Sequence, residues 1–77
     1  MVRVLEAKPQ KNYTIFIKLD NGKEGIFDVS PFLDKGIFSE LRDENYFKLL
    51  SIRGRSISWP HAQDFCADTI DALMRTS

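Results

Sequence analysis

At 77 residues the chain is short for a single core, and its 11 basic and 11 acidic side chains leave zero net charge. That balance excludes general affinity for nucleic acid, where a basic stripe must neutralise phosphates, and a single cysteine excludes an internal disulfide. No apolar run reaches the ~18–20 residues of a membrane helix, and Met1 to Leu5 is too short for the apolar core of a signal peptide. The expectation is one domain over residues 1–77, in the reducing cytoplasm, with no membrane contact and no direct nucleic-acid binding. Six Phe, two Tyr and one Trp supply core volume, at roughly 150–250 Å² buried for each ring.

Val2 to Ala7 is rich in β-forming residues and ends at Pro9, which predicts a first strand. Tyr13 to Leu19 alternates, placing Ile15, Ile17 and Leu19 on one face. Asp20-Asn21-Gly22 tolerates positive φ and predicts a hairpin turn into Lys23 to Val29, with Phe27 and Val29 sharing a face. Ser30-Pro31 reads as an N-cap followed by Pro at the first helical position, and Gly36 as the left-handed residue that closes the turn. Ile37, Phe38 and Leu41 keep an apolar spacing of three to four, and Asp43 caps a second short helix over Glu44 to Leu50. Ser51 to Trp59 reads either as one strand with a bulge at Gly54 or as a hairpin turning at Arg53-Gly54, with the hairpin slightly favoured. Last, Asp68 caps a helix over Thr69 to Arg75, where Ile70, Leu73 and Met74 form an apolar stripe. The pattern is an α+β fold: three strands, short helices, one or two further strands and a C-terminal helix around a small antiparallel sheet.

Several of these residues together carry a likeness. Val2 and Val4, Tyr13, Asn21-Gly22, Phe27-Asp28-Val29, Pro31-Phe32-Leu33, Gly36-Ile37-Phe38, Leu41, Asp43 and Phe47 fall in one recognisable order. With Trp59-Pro60, Asp64 and Asp68 after them, the chain resembles the bacterial domain-of-unknown-function 2442 family over essentially its whole length. It departs where Ala62 stands for the usual Gly and Ala67 for the usual Pro, and its segment between Phe47 and Trp59 is shorter. Gly reaches the left-handed region that Ala resists, so either the loop here is ordinary or the Gly is not required. The family has no assigned activity. The resemblance implies a small intracellular bacterial protein, sometimes fused to a helix-turn-helix domain. It also implies a second small protein encoded alongside, in an arrangement similar to a toxin–antitoxin pair. No helix-turn-helix pattern is read in these residues, and the DNA-binding role is not carried over to them.

The block Ile57 to Asp68 gathers the only Trp, His and Cys, together with Asp64 and Asp68. A nucleophilic Cys66 with His61 as base needs direct contact and a third orienting group, which sequence proximity does not establish. Lone cysteines are ordinarily small buried hydrophobes, and these residues lack the paired ligand spacing of a metal site. No catalytic, metal or cofactor site is therefore expected, and no enzymatic activity. Trp59 reads first as a core residue with its N–H satisfied by the loop, and second as a binding anchor. Arg53 and Arg55 are expected to share a strand face with Ile57 and Trp59, either guarding an edge or gripping an acidic partner or phosphates. The candidate contact residues are Arg53, Arg55, Trp59, His61 and Asp64. The leading expectation is an interaction module, antitoxin-like, that partners a co-encoded small protein. The alternative is a small-ligand domain whose pocket is walled by Trp59, His61, Asp64 and core aromatics. Zero charge and an exposed edge lean toward a homodimer, with the oligomeric state left open.

Overall fold

The turn at Asn21-Gly22 organises the first half of the molecule. In a computed structural model that describes residues 1–76, β2 (Thr14–Leu19) and β3 (Glu24–Asp28) pair antiparallel, with Ile15 opposite Phe27. The alternation read from the sequence is the burial pattern: Ile15, Ile17 and Leu19 face the core, and Phe27 joins them from β3. β1 (Val4–Gln10) pairs with the other side of β2 and runs through Pro9 rather than stopping before it. Pro fits because β1 is an edge strand, where one side of the backbone has no ladder to supply. A two-residue strand, Arg75–Thr76, adds to the far side of β3 and gives a four-stranded sheet. Its approach accounts for Gly25, where a Cβ would lie 2.0 Å from the Arg75 carbonyl oxygen.

A second antiparallel sheet follows in sequence, formed by β4 (Ser51–Arg53), β5 (Ser56–Ser58) and β6 (Asp64–Cys66) in that spatial order. The 51–59 segment is therefore a hairpin and not a bulged strand. Its two-residue turn is Gly54-Arg55, one position later than expected, with Arg53 opposite Ser56. Gly54 has φ +57 and Arg55 does not have positive φ, the pattern of a type II′ turn, which takes Gly at its first central position.

Short helical turns connect the two sheets. Ser30 does not cap: its N–H donates to Asp28 Oδ1 at 2.9 Å, and the 3₁₀ turn Ser30–Phe32 has Val29 at its N-cap instead. Gly36 has the expected left-handed conformation, with φ +49, but it opens the 3₁₀ segment Gly36–Arg42 rather than closing the preceding turn. Asp43 does cap α1 (Glu44–Phe47), accepting from the Asn45 N–H at 3.0 Å, but the helix ends at Phe47 and not at Leu50. The last helix, α2 (Ala67–Leu73), has Cys66 at its N-cap. Asp68 thus lies in the first turn, where its charge suits the helix dipole without capping it. Leu73 is exposed, so the buried stripe is Ala67, Ile70 and the following Met74.

The fold class is α+β with antiparallel sheets, as expected, although the strands divide into two sheets. The last position of the expected 1–77 domain lies outside the described residues. One cluster buries Ile15, Ile17 and Phe27 of the first sheet with Ile57 and Phe65 of the second. Phe65 is its hub: the rings of Phe27, Phe32 and Phe38 lie 5.0 Å away, and that of Trp59 lies 6.0 Å away. Such ring pairs add about 0.5–1.5 kcal/mol each beyond simple burial. Among the described residues, no helix is long and apolar enough to cross a membrane.

Candidate functional site

Between β5 and β6 the chain reverses through Trp59, Pro60, His61 and Ala62. The backbone closes this turn, with the Ala62 N–H donating to the Trp59 carbonyl at 3.1 Å and the Trp59 N–H to the Gln63 carbonyl at 2.9 Å. Ala62 has φ 76, so the left-handed conformation is kept although Gly is not there. Such a conformation costs a residue with a Cβ roughly 1–2 kcal/mol. Trp59 is 3% exposed, packed against Phe47 and Phe65, and its indole N–H donates to the Phe47 carbonyl at 2.8 Å. The core reading of Trp59 holds. Its N–H partner is the end of α1 and not the following loop, and the buried ring cannot serve as a surface anchor.

Gln63, the next residue, is 0% exposed, and every hydrogen-bonding group of its amide finds a partner. Its NH₂ donates to the Ile37 carbonyl at 2.8 Å and to Glu40 Oε1 at 2.9 Å. Its carbonyl oxygen accepts from the Tyr46 hydroxyl at 2.6 Å, and that hydroxyl accepts from the His61 N–H at 2.9 Å. His61 itself lies outside, with Nδ1 2.6 Å from Glu40 Oε2 and its ring tilted over Tyr46 at 5.3 Å. The carboxylate fixes the Nδ1–H tautomer. The hydrogen bond from His61, helped by that from Gln63, holds the Glu40 carboxyl below its ordinary range. Because the folded pKa is depressed, the stability Glu40 contributes is present at neutral pH and fades as acid protonates it.

Of the candidates, Arg53, Trp59 and Asp64 border one open depression, and Arg55 and His61 stand apart from it. The hairpin places Arg53 on the exposed β4 and Arg55 in the turn, whereas Ile57 and Trp59 are buried. The expected common face of Arg53, Arg55, Ile57 and Trp59 is therefore absent, because it required one continuous strand. Arg55 instead works as a staple: Nε donates to the Val2 carbonyl at 3.1 Å and Nη2 pairs with Asp68 at 3.1 Å. Asp64 is exposed at the start of β6. It borders an open depression of about 380 Å³ with Arg53, Trp59, Pro60 and Ala62, and His61 does not line it. Cys66 and His61 take different partners, since the thiol lies 3.2 Å from the Thr69 hydroxyl. That hydroxyl, with backbone N–H groups at the start of α2, holds the exposed thiol below its ordinary pKa. Among the described residues, no three of His, Cys, Asp and Glu gather as metal ligands would.

A family model described as a protein of unknown function (DUF2442) matches residues 4–74. The chain belongs to this family. Neither a curated protein nor a solved structure matches it. In this DUF2442 member the Trp-Pro signature is architectural: Trp59 fills the core, and Asp68 ties α2 to the Arg55 turn. Sequence reasoning passed over Gln63 and Glu40, and read Tyr46 only as an inward or half-inward residue of its helix, which it is. A signal for Gln63 was present, because strand alternation puts it on the same face as Phe65 and Ala67, both buried.

Two consequences can be measured. Ala62→Gly is expected to raise stability by about 0.5–1 kcal/mol in urea unfolding, since relief of left-handed strain outweighs the added freedom of the unfolded chain. A loss of stability would show that Ala62 is not strained. Cys66 is expected to react readily with iodoacetamide in the folded chain at pH 7, and Thr69→Val to slow it by roughly two- to fivefold. Mass spectrometry reads both rates, and equal rates would remove Thr69 as the activating group.

Proposed function

We propose that this chain is a non-enzymatic protein-interaction module whose β4 edge receives a strand from a small protein encoded beside it, in the manner of an antitoxin-like partner. The observation that carries the reading is the state of β4. All three of its residues, Ser51, Ile52 and Arg53, are exposed at the edge of the second sheet, with Ile52 41% exposed. Leu49 beside it is 56% exposed. An apolar residue on an unpaired edge is a template for another strand, and proteins ordinarily blunt such edges.

The edge of the first sheet is blunted in that way. β1 carries Pro9, a register irregularity between Val4 and Glu6, and the charged pair Glu6–Lys8. On β4 the only charge is Arg53, which would add a preference for an acidic partner strand. The non-enzymatic part of the reading is supported by the separate partners of His61 and Cys66. The co-encoded partner is supported by the family resemblance.

The test is co-expression of the chain with the product of the adjacent gene, followed by measurement of affinity for the purified pair. Ile52→Asp is expected to weaken the complex at least about tenfold while leaving the amide spectrum dispersed. Failure of the neighbour to bind, or an unchanged affinity in the variant, would contradict the proposal.

A further inference from the structure

We infer that the groove between the β1–β2 connection and α1 is a binding site for a small organic monoanion, a carboxylate carried on an apolar body. The groove has a volume of about 480 Å³, within the range of roughly 300–1,000 Å³ typical of small-molecule sites. Pro9 and Tyr13 offer apolar surface above Phe47. Lys11 and Lys48, from different elements, border the same space.

The charges decide the class of ligand. Lys8, Lys18 and Lys23 each have a carboxylate within 4.0 Å, whereas among the described residues Lys11, Lys35 and Lys48 have none, and of these three Lys11 and Lys48 border the groove. Glu44 borders the groove as well. Two ammonium groups and one carboxylate leave a single positive charge for the ligand to neutralise. A monoanion fits that balance, and a cation does not.

The groove is also preformed. Asn12 (φ 61, ψ 34) and Tyr13 (φ 59) are consecutive non-glycine residues in the left-handed region. Such conformations persist where the surroundings fix them. Here the Tyr13 hydroxyl donates to the Arg42 carbonyl, its ring meets Phe47 edge-on at 5.6 Å, and its carbonyl accepts the Val29 N–H at 2.9 Å. A wall held in place before binding lowers the ordering cost that association must overcome. The groove shares no residue with the β4 edge, so the two proposals stand or fall separately.

Amide NMR of the ¹⁵N-labelled chain, titrated with benzoate and in parallel with inorganic phosphate and benzylamine, tests the site. Benzoate is expected to give saturable shifts over residues 11–14 and 44–48. Lys11→Gln and Lys48→Gln are each expected to raise its Kd at least about threefold, with spectral dispersion unchanged. Both side chains are exposed, so the variants should fold. Shifts that scatter without saturating, an equal response to phosphate or benzylamine, or an unchanged Kd in both variants would overturn the assignment.

Discussion

A fully buried amide shapes the second half of this molecule. Gln63 lies in the core with its two N–H groups and its carbonyl all engaged. Each such group left without a partner would cost about 1–3 kcal/mol, more where the partner is charged. The turn before β6 is therefore tied to the Ile37 carbonyl, Glu40 and the Tyr46 hydroxyl, which satisfy the amide that the turn buries. Those groups belong to a 3₁₀ segment and a single turn of helix, elements with little stability of their own. Gln63 and the Trp59 indole, bonded to Phe47, hold that irregular stretch from outside. The aromatic cluster around Phe65, two residues on, packs against the same stretch through Phe38.

That arrangement gives most of the unusual residues between Ile57 and Asp68 a structural partner. Trp59 is absorbed by the core, Cys66 begins a helix, and His61 covers the outer face of the Gln63 network with Glu40. Arg55 is likewise engaged, joining Val2 and Asp68. The surfaces on which the two proposals rest lie outside that block: the β4 edge with Ile52 and Arg53, and the groove bordered by Lys11 and Lys48. The interaction reading rests on the first of these surfaces, and the anion site on the second.

The sequence was most legible where local chemistry alone decides the conformation. Alternation over Thr14–Leu19, the Asn21-Gly22 turn and the Asp43 cap needed no distant partner, and each is present. Ser30 misled because the 3₁₀ turn starts one residue earlier, with Val29 in the cap position and Ser30 already inside the turn. β6 and the strand Arg75–Thr76 have three and two residues, and such short strands exist because another strand meets them. For Arg75–Thr76 that meeting depends on the missing side chain of Gly25. The arginine face failed for a related reason: a turn at Gly54-Arg55 separates residues that a continuous strand would have aligned. Gln63 was hidden by its type, since a polar residue in an inward register is ordinarily read as surface.

Urea unfolding of Gln63→Leu beside His61→Ala probes the buried network most directly. Loss of the amide should leave the Tyr46 hydroxyl and the Ile37 carbonyl without their partner, lowering stability by about 2–4 kcal/mol. Loss of the exposed imidazole should cost no more than about 1 kcal/mol. A neutral Gln63→Leu, or an equal penalty for His61→Ala, would show that the turn is held by something other than its buried amide.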